Sequence, residues 1–190
     1  MDRHLDTMTT TKRSLAALCA AVESSIASQP ADRGADEPAV VVGLFQRRGY
    51  FEQARDRYAR LAASGALCLV AFGGDVDDLP AGVRGVSLGL TDGLAGEWSL
   101  VVMDGTFGAA LVARDLGDVD PNEDTFESGR LFSANWAFSA TRAAAEARRI
   151  VDALGQRLEP SVRGAVLRAV RNCAEGQPSD VERRMADVTE

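Results

Sequence analysis

The chain has 190 residues, 46% hydrophobic and 26% charged, and its 28 acidic and 21 basic side chains give a formal net charge of -7. This composition is typical of a globular protein, and no run reaches the roughly 18 uninterrupted apolar residues that a membrane span needs. A negative chain also repels the phosphates of nucleic acid. We therefore expect one domain of ordinary size with extensions, contacting neither membrane nor nucleic acid directly.

The first third of the chain predicts a helix, a linker and a strand. Residues 1–13 are polar and are expected to be loose, and apolar residues then recur at steps of three and four, as on one face of a helix from Ser14 to about Ser28. Residues 29–38 have the composition of a linker. Residues 39–45 are a continuous apolar run, which is typical of a strand covered on both faces.

A crossover follows this first strand. Residues 50–64 have helical periodicity, and residues 66–72 form a second continuous apolar run. A strand, a helix and a strand in this order predict a parallel, right-handed connection with the helix packed on the sheet.

The remaining segments complete an α/β fold. We predict strands at 83–90, 97–103, 108–115 and 130–136, an acidic loop at 117–129, and helices at 139–158 and 161–174. The short DGTF connection predicts that 97–103 and 108–115 pair antiparallel. The predicted fold is a mixed, mostly parallel sheet of about five to six strands flanked by helices, with additional N- and C-terminal helices. We divide the chain into an N-terminal tail, helix and linker (1–37), a central domain (38–158), and a C-terminal helix and tail (159–190).

The cysteines and the single histidine limit the chemistry. The three cysteines, at 19, 68 and 173, are far apart and lack CxxC spacing, so they predict neither a disulfide framework nor a zinc site, and they favour a reduced, cytoplasmic location. His4 lies in the loose N-terminus, which leaves no credible base for a nucleophilic triad. We therefore expect no catalytic residues and no metal site, and the sequence names no cofactor.

One acidic motif invites comparison with an enzyme. GGDVDD at 73–78 resembles the GGDEF signature of diguanylate cyclases, in which carboxylates on a hairpin hold a metal. No second hydrophobic strand follows here, so a solvated acidic turn is favoured. A metal-dependent nucleotide enzyme that uses Asp75, Asp77 and Asp78 is the least favoured of three hypotheses.

The turn after the first buried strand contains candidate ligand contacts. Arg47, Arg48 and Tyr50 lie in FQRRGYF, where a strand ends and a helix begins. Loops at the carboxyl ends of parallel strands surround the usual ligand crevice of α/β sheets, and a helix N-terminus there favours anionic groups. Solvated arginines and an anchoring tyrosine are the alternative interpretation.

Further candidates lie at strand ends. Trp98 and Trp136 can stack on a planar ligand or pack in the core. Glu97, Arg114 and Asp115 can orient a ligand or pair at the sheet edge. In an antiparallel pair, Glu97, Trp98, Arg114 and Asp115 are expected to lie close enough to form one cluster.

Four segments, in their order and spacing, resemble the DICT domain, a sensory domain named for its occurrence with diguanylate cyclases and two-component systems: FQRRGYF, RDRYARLAASGA, PAGVRGVSL and LAGEWSLVVMDGTFGAALVARDLGD. The resemblance covers roughly residues 38 to 155, so the central domain is DICT-like. It implies a non-catalytic regulatory role in bacterial signal transduction, in the setting of two-component systems and cyclic-di-GMP signalling. The family's last strand carries a Thr-Tyr-Asp run, whereas this chain has ANWAFSATR without that aspartate.

The first hypothesis is therefore a sensory domain that binds a small ligand or a partner and signals through association with a signalling protein or with itself. The alternative is a protein-interaction or dimerisation module without a ligand. In that case the acidic surface and the helix at 161–174 dock a partner or a second copy.

Overall fold

The computed structural model describes residues 7–27, 38–105 and 107–175, so most of the predicted linker, the C-terminal tail and His4 lie outside the described residues. The strands are β1 Met8–Thr11, β2 Val40–Arg47, β3 Leu67–Gly73, β4 Val83–Leu88, β5 Glu97–Met103, β6 Gly108–Val119 and β7 Arg130–Ala137. The helices are α1 Lys12–Ala27, α2 Arg48–Glu52, α3 Arg55–Ala63, α4 Phe126–Gly129, α5 Ala140–Leu154 and α6 Pro160–Glu175, with a 3₁₀ turn at Gly155–Arg157.

The sheet is mostly antiparallel and has seven strands in the described part of the chain, so the prediction of a mostly parallel sheet of five to six strands was wrong. Its order is β1-β7-β6-β5-β2-β3-β4. The β2–β3 pair is parallel, which confirms the predicted crossover, and β3–β4 is parallel as well. The other four pairs are antiparallel, because β5 returns to the far side of β2 and continues the sheet through β6 and β7 to β1.

Several local predictions also differ from the structure: residues 8–11 were expected to be loose but form β1, and the predicted acidic loop at 117–129 contains the end of β6 and the short helix α4. β1 is a short polar strand at the sheet edge, without the apolar alternation that identifies a strand. The predicted helix at 50–64 is divided into α2 and α3 by a turn at Gln53 and Ala54. In one straight helix Phe51 and Tyr58 would be about 10 Å apart along the axis, whereas their rings meet edge to face with centroids 5.8 Å apart.

The sheet buries apolar side chains on both faces. On one face, the α1 face, α1, α2 and α3 cover residues such as Val41, Val70 and Leu100. On the other, the α5 face, α5 and α6 cover residues such as Val42 and Val101. Because helices cover both faces of the sheet, the side chains on both sides of β2 and β3 are buried. This explains why both strands are continuous apolar runs in the sequence.

The last helix is part of this packing. Its apolar stripe is buried on the α5 face and consists of Val162, Val166, Val170 and Cys173. The side of α6 that is apolar enough to dock a partner is therefore occupied within the chain. Among the described residues, no helix combines the length and apolar character needed to cross a membrane.

Candidate functional site

A cavity of about 60 Å³ lies on the α1 face, between α1 and the carboxyl end of β2. Ala16, Cys19 and Glu23 of α1 line its roof, and side chains of β2, α2, α3, β5 and β7 line the rest. The position follows from the chain path, because α2 begins immediately after β2 and leaves a crevice at the strand end.

Two polar side chains are buried in the inner wall. Glu23 is only 3% exposed and its carboxylate accepts a hydrogen bond from Nε of Arg57 at 2.6 Å. Burial raises the pKa of the Glu23 carboxyl and outweighs the opposing effect of Arg57. Tyr58 is fully buried, and its hydroxyl makes no hydrogen bond of regular geometry with any residue that the structure describes, although it lies near enough to Glu23 to lower that carboxyl's pKa.

Much of the remaining wall is aromatic or aliphatic. The Trp98 ring meets the Phe132 ring edge to face, with centroids 5.5 Å apart. Burial raises the pKa of the Cys19 thiol far above its usual range, and Trp98 only partly opposes this through a hydrogen bond. Because a protonated thiol is a poor nucleophile, Cys19 acts here as a small buried side chain.

Cations surround Tyr50 at the mouth of the cavity. Nζ of Lys12 lies 4.2 Å from the centroid of the Tyr50 ring, and the guanidinium carbons of Arg47 and Arg130 lie 5.0 and 5.5 Å from it. Arg130 also donates a hydrogen bond to the Tyr50 hydroxyl and another to Asp115. These contacts hold the tyrosine at the mouth by cation–π attraction and hydrogen bonding together.

Carboxylates pair with two of these cations, Lys12 and Arg130. Lys12 pairs with Glu127, and this hydrogen bond, opposed by partial burial, keeps the pKa of Glu127 below its usual value. Burial acts to raise the pKa of Asp115, but the backbone N–H of Gly117 and the Arg130 guanidinium outweigh it and lower that pKa. The mouth therefore carries several charges in closely paired form.

The structure divides the residues predicted from the sequence as ligand contacts. Tyr50 and Trp98 line the cavity. Arg47 and Asp115 lie at its mouth, through their contacts with Tyr50 and Arg130. As ligand contacts, these four residues remain predictions.

Arg48 and Trp136 do not line the cavity. Arg48 pairs with Glu52 at 3.1 Å and donates to the backbone oxygen of Asp75, also at 3.1 Å. Trp136 packs against the hydrophobic core on the α1 face.

The expected single cluster at the ends of β5 and β6 is also divided. Glu97 and Arg114 are paired in register, and their side chains contact at 3.3 Å. Glu97 is 1% exposed, accepts a hydrogen bond from Ser99 at 2.7 Å and pairs with Arg149 of α5. It therefore lies on the α5 face, whereas its neighbour Trp98 lies on the α1 face, because side chains alternate along a strand.

The acidic residues of GGDVDD that follow β3 form a turn, which their own hydrogen bonds and Arg55 stabilise. The backbone N–H of Asp77 donates to the Asp75 carboxylate at 2.8 Å, and Arg55 pairs with Asp78 at 3.4 Å. No group of three or more histidine, cysteine, aspartate or glutamate side chains suited to a metal ion occurs in the described ranges.

The most informative residues of the cavity were not among the sequence candidates. Glu23 lies four residues after Cys19, and therefore on the buried side of α1, where a carboxylate is unusual. A carboxylate on the apolar side of a predicted helix is a signal in the sequence that could have identified Glu23 as a candidate. Tyr58 looked like an ordinary core residue, and nothing in the sequence places either Arg57 or Arg130 beside the cavity.

Comparison with known families supports the earlier resemblance. The sequence model of DICT, described as a sensory domain in diguanylate cyclases and two-component systems, matches residues 1–116. The matched range includes α1 and the cavity residues Glu23, Tyr58 and Trp98, whereas Arg130 and Phe132 lie beyond it. A search of curated proteins found no match.

Proposed function

The chain belongs to the DICT family of sensory domains, and we propose that it senses by binding a small ligand in the cavity beneath α1, without a catalytic step. This proposal is carried by a cavity whose walls are rich in aromatic side chains, contributed by Phe45, Tyr50, Tyr58, Trp98 and Phe132. Small-molecule sites are typically concave and mostly apolar with a few polar groups, and Glu23 and Arg57 supply such groups here.

Helix α1 is the element that responds to the ligand. Polar contacts hold it in place along its length: Lys12 pairs with Glu127, Arg13 with Glu123 at 3.1 Å, and Glu23 with Arg57. The cavity is much smaller than the ~150 Å³ cavity that can hold benzene in another protein. A ligand of ring size therefore enters only when α1 moves outward, and its binding favours the displaced position.

The displaced helix transmits the signal through association with a signalling protein or with a second copy of the chain. We place this event in the cytoplasm, because all three cysteines are buried as free thiols. Association through the apolar stripe of α6 is disfavoured, since that stripe already packs within the chain.

The test blocks the mouth of the cavity. Ala16 is an exposed residue that lines the cavity, whereas Ala17 is also exposed but contributes nothing to the lining. The full-length wild type and the variants Ala16→Phe and Ala17→Phe are each expressed in the same host and purified under the same mild conditions. Native mass spectrometry then identifies retained small molecules, and hydrogen exchange is compared before and after their removal.

We expect wild type and Ala17→Phe to retain the same compound and Ala16→Phe to lose it. Removal of the compound should change amide exchange in residues 12–27 and leave α5 unchanged. Equal retention by both variants, or an exchange change confined to α5, would contradict the proposal.

A further inference from the structure

The inner wall of the cavity on the α1 face favours an uncharged ring. Phe45, Trp98 and Phe132 line the cavity, and Trp98 meets Phe132 edge to face with ring centroids 5.5 Å apart. Aromatic walls of this kind favour another ring by offset or edge contact. The charged side chains of the inner wall, Glu23 and Arg57, already pair with each other at 2.6 Å. Because a further charge beside that pair would lose its water without gaining a partner, the part of a ligand that enters should be uncharged.

Two of the three cations at the mouth are already paired. Lys12 pairs with Glu127, and Arg130 pairs with Asp115. Asp115 attracts Arg47 as well, but only from beyond ion-pair distance. An anion that approaches Lys12 or Arg130 must therefore share the cation with a carboxylate that is already in place, and the two negative charges repel each other.

Arg47 is the third cation at the mouth, and its side chain is exposed. Its guanidinium carbon lies 5.0 Å from the centroid of the Tyr50 ring, and it forms no ion pair with any residue that the structure describes. The charged groups farther out at the start of α1 pair with one another, Arg13 with Glu123 at 3.1 Å and with Asp124 at 3.3 Å. Arg47 can therefore turn toward an incoming anion without breaking an existing pair, and its planar guanidinium suits a carboxylate.

The single unpaired arginine limits the charge of the ligand. A phosphate group carries about −1.5 to −2 charges at neutral pH and would need a second cation, whereas a carboxylate matches one arginine. Resting on the proposed function, we propose that the ligand is a compact aromatic carboxylate, whose ring lies against Trp98 and Phe132 and whose carboxylate pairs with Arg47 at the mouth.

The test measures the affinity of three small probes for the full-length chain by ligand-observed NMR titration at low salt. Hydrocinnamate carries a ring and a carboxylate, hydrocinnamamide has nearly the same shape without the charge, and hexanoate carries the carboxylate without a ring. We expect hydrocinnamate to bind about fivefold more tightly than the amide, which corresponds to about 1 kcal/mol and to the upper range of an exposed ion pair. This preference should shrink as salt is added. Hexanoate should bind more weakly than hydrocinnamate.

Two neighbouring arginines locate the carboxylate of the probe. Arg47→Gln removes the unpaired cation, and it should abolish the preference for hydrocinnamate over the amide. Arg48→Gln changes the net charge by the same amount, but Arg48 is already paired with Glu52 at 3.1 Å, so the preference should remain. Ala16→Phe, which blocks the mouth, should weaken the binding of both ring probes. Unchanged circular dichroism spectra establish that the variants fold.

The outcomes separate this inference from the proposed function. Equal affinity for hydrocinnamate and its amide in wild type, a preference that survives Arg47→Gln, or a preference lost equally in both arginine variants overturns the pairing with Arg47. Hexanoate as the tightest probe overturns the aromatic ligand. Hydrocinnamate that binds Ala16→Phe as tightly as wild type lies outside the cavity, which also overturns the inference. If no probe binds while wild type still retains a compound that Ala16→Phe loses, the ligand class is wrong and the sensory cavity stands.

Discussion

Arg57 on α3 donates from Nε to the carboxylate of Glu23 on α1 at 2.6 Å, and so joins the roof of the cavity to its wall. The pair is asymmetric, because Glu23 is 3% exposed whereas the Arg57 side chain is 31% exposed. Water can therefore reach the cation more readily than the anion. This explains why burial dominates the behaviour of the carboxyl group despite its close partner.

The Glu23 carboxyl should make stability depend on pH. Because its pKa is raised in the folded state, the folded protein holds this proton more tightly than the unfolded chain does. The resulting contribution is complete below the ordinary pKa of 4.5 and is lost as pH rises through the raised folded pKa. We expect Glu23→Gln to flatten this decline in melting temperature above pH 4.5, measured by calorimetry between pH 4 and 8.

Glu159→Gln, at an exposed position, is the matched control and should follow the wild-type profile. Asp115 and Glu127 act in the opposite direction, since their lowered pKa values remove stability as pH falls below their ordinary range. If the melting temperature of Glu23→Gln falls above pH 4.5 as steeply as that of wild type, the decline is caused by other groups.

Gly43 makes room for the Tyr58 hydroxyl. A Cβ atom added at Gly43 would lie 2.2 Å from that oxygen and 2.9 Å from the Phe45 ring. We expect Gly43→Ala to lower the free energy of unfolding by about 1–3 kcal/mol, the usual cost of overpacking a core. Urea titration of Gly43→Ala, Tyr58→Phe and the double variant should show that Tyr58→Phe recovers part of the loss. If the changes in the free energy of unfolding simply add in the double variant, the added Cβ atom and the Tyr58 hydroxyl do not contact each other.

Glu97 should be a structural residue of the α5 face. Glu97→Gln removes the charge that faces Arg149, and we expect a loss of about 1–2 kcal/mol, moderated because Arg149 is 41% exposed. Arg114→Ala should change stability by less than about 0.5 kcal/mol, because that side chain is 65% exposed. Urea titration measures both. Ligand retention should be unaffected in either variant, and a specific loss of retention would instead support a sensory role for this pair.

Helix α6 should be required for a closed core although it lies beyond the family match. Ending the chain after Leu158 removes the stripe that covers the α5 face, including Val166, which is fully buried. Each such side chain contributes about 1.5–3 kcal/mol by burial. We expect a lower melting temperature and strong binding of a hydrophobic dye. The full-length chain is the control and should melt at the higher temperature without binding the dye.

The sequence was most informative where local periodicity reflects burial. Continuous apolar runs identified β2 and β3, and the short connection identified β5 and β6 as an antiparallel pair. The edge strand β1 escaped detection because Met8–Thr11 is too short and polar to show alternation. The turn at Ala54 escaped because α2 and α3 both carry apolar side chains toward the same core.

The candidate site depended on contacts over long sequence distances. Glu23 and Tyr58 are 35 positions apart, and Arg130 reaches Tyr50 from 80 positions away. A helical pattern shows that Glu23 faces inward, but it does not show which side chains it will meet. Opposite orientations along β5 likewise separate Glu97 from Trp98, and the faces they occupy depend on which helices cover each side of the sheet.

The sequence by itself determined the family, through the order and spacing of its motif segments, and the α/β class with most of the helices and strands, through local patterns of apolar residues. Only the tertiary structure decided that β5 lies beside β2, that the sheet is mostly antiparallel, and that α1 closes a cavity over Tyr58. The physical reason is that apolar burial is non-directional: it specifies which side chains leave water, whereas strand pairing and close packing specify their neighbours.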